Sequence, residues 1–161
     1  MVRTFDTLPE VTLARDLLRR WYGLELGYAA GDGSGYERTS HATCETLRAL
    51  PEGACGKAMK DVAAALAAKK DAGAIVQRCH AQLTIVAAPV RDTGGLAGIV
   101  YASGGRTAAA GEVEAAIAGA TGAADEAAAL AARAPELGEA DLARVRDLVA
   151  SAAAAVERAQ P

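Results

Sequence analysis

The chain has 161 residues, a formal net charge of −3 and a 52% hydrophobic composition. That length suits one domain with a core of its own, the near-neutral balance gives no basic footprint for nucleic acid, and no stretch is greasy enough to span a bilayer. The hydrophobic share is inflated by 42 Ala; Leu, Ile, Val and Phe together number only 31, a low level that goes with disorder chiefly when net charge is high.

The expectation is therefore a folded domain with a thin core and Ala-packed helices. No signal peptide is recognised, and the three Cys read as thiols in a cytoplasmic protein.

Along residues 10–21, Val11, Leu13, Ala14, Leu17, Leu18 and Trp21 predict an amphipathic helix. Pro9 sits at its start and Gly23 ends it. Leu24, Leu26 and Tyr28 alternate with Glu25 and Gly27, which predicts a short strand. Residues 31–35, Gly-Asp-Gly-Ser-Gly, form a turn, and Tyr36 opens a return strand. Ser40 is the expected N-cap of a helix over 41–49, broken by Pro51 and Gly53. A second helix runs over 54–70 with Met59, Val62, Ala63, Leu66 and Ala67 as its stripe. Lys69 and Lys70 suit its negative end.

Residues 74–103 are the β-rich heart. Residues 75–79 and 83–90 read as strands, and Pro89 predicts an edge or bulge position. The turn at 92–95 leads into a partner strand over 96–103. From Thr107 the composition shifts to Ala, Glu and Arg, with helices expected over 110–119, 123–133 and 139–159. The last carries Leu142, Val145, Leu148, Val149, Ala152 and Val156, a narrow seam suited to partner packing.

This order predicts an α+β fold: an antiparallel sheet flanked by helices, with a long C-terminal helix leaving the domain. Small sensor folds of the PAS and GAF type look like this. The expected division is a sensory domain over 1–135 and a signalling or dimerisation helix over 136–161.

Cys and His carry much of metal and redox chemistry. His41, Cys44, Cys55, Cys79 and His80 all fall in one quarter of the chain. Such ligands suit zinc, an iron–sulfur cluster or haem, and reactive thiols suit redox sensing. No Cys-x-x-Cys pair is present. The plain alternative is that each Cys is a small buried hydrophobe, and that His80 is a solvent-facing or turn histidine and no ligand.

Three runs carry a resemblance. They are Cys44-Glu-Thr-Leu-Arg-Ala-Leu-Pro-Glu-Gly-Ala-Cys55, Gln77-Arg-Cys-His-Ala-Gln-Leu-Thr-Ile-Val-Ala-Ala-Pro-Val90 and Gly94-Gly-Leu-Ala-Gly98. Over about residues 10–105 the chain resembles the PocR-type sensory domain, a PAS/GAF-like variant found in bacterial transcription regulators, histidine kinases and chemoreceptors. The resemblance implies binding of a small organic ligand. Two departures border the implied pocket: that family commonly has Gly where this chain has Gln82, and Gly-Gly-Gln where this chain has Ala102-Ser-Gly-Gly105.

The chain also resembles the GAF-fold free-methionine-R-sulfoxide reductases in length, in three Cys at similar spacing and in Cys55-Gly56. That resemblance implies Cys79 as the attacking thiol and Cys44 or Cys55 as the resolving one. The strand at 98–104 lacks the acid that would hold a substrate ammonium.

The expected function is a non-catalytic sensory module. Its pocket lies between the β-rich heart and helices 41–70, lined by Tyr28, Cys44, Cys55, Cys79, His80 and Tyr101. A metal would use Cys44, Cys55, Cys79 and His80 or His41. The expected partners are a small-molecule ligand, a second copy joined through the C-terminal helix, and an output module that is separate or deleted. No direct contact with nucleic acid or membrane is expected.

Overall fold

Pro9 locks the backbone dihedral that a first helical turn needs, and its missing N–H costs nothing there. A computed structural model describes residues 4–36, 44, 54–71 and 73–160. After a short turn of helix, α1 (Thr4–Thr7), helix α2 (Pro9–Leu17) continues into a π-helical turn at Leu18–Tyr22. Gly23 ends it in the left-handed region at φ 64°. Val11, Ala14 and Leu18 are buried, and Tyr22 packs beside them. Leu13 and Trp21, expected on that stripe, are exposed instead. The inward spacing of three, four and four residues leaves both on the outer flank.

Four strands follow: β1 (Glu25–Ala30), β2 (Ile75–Arg78), β3 (Thr84–Asp92) and β4 (Gly95–Gly105). They form one antiparallel sheet in the order β1-β4-β3-β2. Strand β2 pairs only with residues 84–87 of β3. Pro89 therefore sits where β3 has run past its neighbour, so its missing N–H breaks no ladder there. At the β3–β4 turn, the Asp92 carboxylate accepts the Gly94 N–H at 2.7 Å.

Helices α3 (Ala54–Ala68), α4 (Ala110–Thr121), α5 (Ala124–Arg133) and α6 (Glu139–Arg158) complete the described chain. Side chains alternate across the sheet, so each face has its own cover. One face presents Leu26, Val86, Ala88, Val90, Val100 and Ala102 to α2 and α6. The other presents Ala29, Ile85, Ala87, Ile99 and Tyr101 to Met59, Val62, Ala63 and Leu66 of α3. A third cluster joins Ala81 and Leu83 to Val113 and Ile117 of α4 and Ala127, Leu130 and Ala131 of α5. Gly122, left-handed at φ 73°, closes α4 so that α5 can fold back along it.

The fold is α+β, as the alternation of periods predicts. The C-terminal helix does not leave the domain. Val145, Val149, Ala152 and Val156 of its seam lie in the same cluster as the sheet. A division at residue 135 would strip the cover from one sheet face. The seam's apolar residues are satisfied by the chain's own sheet rather than held out for a partner.

Arg91 ties three elements together. Its guanidinium donates to the Leu66 and Lys69 carbonyls at the end of α3, at 3.2 and 2.9 Å. Its backbone N–H donates to Glu157 of α6 at 3.0 Å. The C-terminal carbonyls of α3 are thus met by a distant arginine, in addition to whatever field Lys69 and Lys70 supply.

Candidate functional site

The turn between β2 and β3 is short because Cys79 closes it. Its backbone N–H donates to the Leu83 carbonyl, and its carbonyl accepts the Gln82 N–H, both at 2.9 Å. The price is Gln82 in the left-handed region at φ 61°, where a side chain costs about 1–2 kcal/mol. This is the position at which the resembled family commonly has Gly. Gly there would adopt the turn without that cost.

Cys79 is half-buried and packs against two clusters at once, the α3 face and the α4–α5 group. Cys44 also borders the α4–α5 group. Cys55 lies one helical turn before Met59 on α3, and it is close enough to Cys79 that charge on one opposes charge on the other. Burial pushes the Cys79 thiol above its ordinary 9.0. Hydrogen bonds from the backbone N–H groups of Ala81 and Leu83 pull it down, and Cys55 pushes it up. Cys55 and Cys79 therefore lie near each other at the turn, and Cys44 shares with Cys79 a border on the α4–α5 group.

His80 follows on that turn. Both ring nitrogens are buried, and neither has a hydrogen-bond partner among the described residues. Burial lowers its pKa from the ordinary 6.5, so it is a neutral imidazole with one donor and one acceptor unused. His80 is thus a turn residue, one of the two placements expected for it, but its ring nitrogens do not face solvent.

The two tyrosines do not share a pocket. Tyr28 pairs with Val100 and Gly27 with Tyr101, so the tyrosines lie on opposite sheet faces. Tyr28 stacks on Phe5 with ring centroids 5.3 Å apart, and its ring crosses Gly98. Tyr101 crosses Gly27 on the α3 face, where a Cβ on Gly27 would lie 2.7 Å from its ring. Only Tyr101 is on the side where Cys79 packs.

Only part of the expected metal set falls on described residues. Among the described residues, no three of His, Cys, Asp and Glu are grouped to hold a metal ion. Zinc and iron–sulfur clusters use such sets, so Cys44, Cys55, Cys79 and His80 do not form one. His41 and the expected helix over 41–49 lie outside the described residues, apart from Cys44. An open groove of about 310 Å³ lies between α6 and β3, lined by Ala88, Pro89, Ala150, Ala153 and Glu157 among others. It contains none of the expected site residues. No helix among the described residues is long and apolar enough to cross a membrane.

Compared with known protein families, curated proteins and solved structures, the chain matches none. The chemistry is therefore argued from the turn itself. A thiol raised by burial is a poor nucleophile near neutral pH, and β4 carries no acid to hold an amino-acid substrate. Both count against Cys79 as the attacking group of a sulfoxide reductase. A buried, unpartnered imidazole beside a hydrogen-bonded thiol is instead suited to binding.

These two groups also set a pH window. With His80 depressed from 6.5 and Cys79 raised from 9.0, the unfolded chain takes up a proton first on acidification and loses one first in base. Stability is expected to fall below about pH 6.5 and again above about pH 9. Thermal melts across pH should show the acid slope flattened in His80→Phe and the basic slope flattened in Cys79→Ser.

Proposed function

We propose that this chain is a cytoplasmic sensory domain of a bacterial regulator of transcription or signal transduction, and that it binds a small molecule at the Cys79–Leu83 turn. The observation that carries this reading is His80, whose two ring nitrogens are buried without partners among the described residues. Native proteins satisfy almost all such atoms, and a bound molecule is one way to satisfy both.

The surroundings suit the role. The turn joins the α3 cluster to the α4–α5 cluster through Cys79, so a ligand there touches two packing units at once. It shifts their arrangement by its differential affinity for the two states. The resemblance of the Cys79-His80-Ala81 run to the PocR-type domain supports the same reading, as does the thin core, which gains stability from anything that binds the folded state.

A thermal-shift panel of small alcohols, carboxylates and amines tests it. At least one compound should raise the melting temperature of the wild type and leave His80→Ala unmoved. A panel in which no compound separates the two proteins would overturn the assignment.

A further inference from the structure

We propose that the outer flank of α2 is a self-association surface, covered by a second copy of this chain in antiparallel register. Val11, Ala14 and Leu18 face the core, which leaves Leu13 and Trp21 59% and 61% exposed. With half-buried Leu17 between them, these residues recur every four positions and form a second apolar stripe. The helix is therefore apolar on two sides, and only one is used within the chain.

The stripe is symmetric about Leu17. A two-fold axis through Leu17 sets Leu13 of each copy against Trp21 of the other and Leu17 against itself. Asp16 and Arg20 lie one helical turn apart along one edge of this stripe. Both are exposed, and neither forms an ion pair among the described residues. The same axis brings each Asp16 beside Arg20 of the other copy, giving two reciprocal ion pairs. Such self-complementarity is what an isologous interface requires, and a partner of unrelated sequence would not need it. Trp and Arg are also the residues that most often dominate interface energetics. The C-terminal seam is not available for the same purpose, because its residues cover the sheet.

Trp21 is the sole tryptophan, so its emission reports directly on the surface. Sedimentation velocity over a concentration series should show a monomer–dimer equilibrium, with Trp21 emission shifting to the blue as dimer forms. Asp16→Arg and Arg20→Asp should each weaken association about tenfold or more through like-charge contact. The double variant should restore it, because the reciprocal pairs re-form with signs exchanged. All these positions are exposed, so circular dichroism should be unchanged. A monomer at every concentration, a dimer indifferent to charge reversal, or a double variant that stays weak would each overturn the proposal. So would a monomer whose Trp21 emission shifts only on anionic lipid vesicles.

Discussion

Replacing His80 by Phe is expected to stabilise the ligand-free chain while abolishing its response to ligand. Burying a polar group without a partner costs about 1–3 kcal/mol, and an apolar ring of similar shape removes that cost. Both His80 nitrogens are in that condition among the described residues. For a chain of this size each kcal/mol moves the melting temperature by about 2–4 °C, so a rise of about 2–12 °C is expected. Differential scanning calorimetry at pH 7 measures it. Binding sites often hold such unfavourable groups in readiness for a ligand, and a gain in stability at the expense of function marks them. A His80→Phe protein that melts at or below the wild type would mean that the imidazole already contributes to the fold.

Gly33→Ala is expected to be strongly damaging, because it combines a left-handed backbone with a clash against α3. Gly33 adopts φ 83°, and a Cβ there would lie 2.5 Å from the Met59 carbonyl oxygen of α3. The left-handed backbone alone costs about 1–2 kcal/mol with a side chain, and overpacking against fixed backbone adds about 1–3 kcal/mol. A loss of about 2–5 kcal/mol in urea unfolding follows from the two together. The strain has a direction. It pushes α3, and Cys55 with it, away from the sheet face where Cys79 packs. Gly35→Ala serves as the control, because its φ of 62° is similar but a Cβ there meets nothing within 4 Å. It should cost only the backbone share.

Much of the architecture is legible in periodicity. The stripe of Met59, Val62, Ala63, Leu66 and Ala67 predicts the face α3 buries; the first four are its buried residues, and Ala67 is exposed at the end of the helix. The runs of β-branched residues at 75–103 predict the strands to within a few positions. Legibility fails where a local pattern has two physical solutions. The seam of α6 reads alike whether it meets a second chain or its own sheet. Leu13 and Trp21 are apolar at helical spacing, yet a helix with two apolar stripes does not reveal which one faces inward. Alternation within β1 and within β4 is plain, but Tyr28 and Tyr101 can be placed on faces only when the pairing of Gly27 with Tyr101 is known.

The candidate site is legible in its residue types more than in its geometry. The clustering of Cys and His points to the region, and Cys55 does lie near Cys79. The turn conformation does not announce itself, because Gln82 is no usual left-handed residue. The amide donors of Ala81 and Leu83 belong to apolar side chains and leave no trace in composition. Nothing in the sequence distinguishes a buried, unpartnered His80 from one that faces water.

On the proposed reading, His80 is a neutral imidazole held ready for a ligand. The chain has only two His, so the ring nitrogens can be read one by one in long-range proton–nitrogen NMR spectra, with His41→Gln to assign them. Without ligand, the His80 nitrogens should begin to protonate only below pH 6.5. Addition of the alcohol, carboxylate or amine that gives the largest thermal shift should move them and leave those of His41 less affected. His80 resonances that stay unchanged while the compound stabilises the protein would contradict the account.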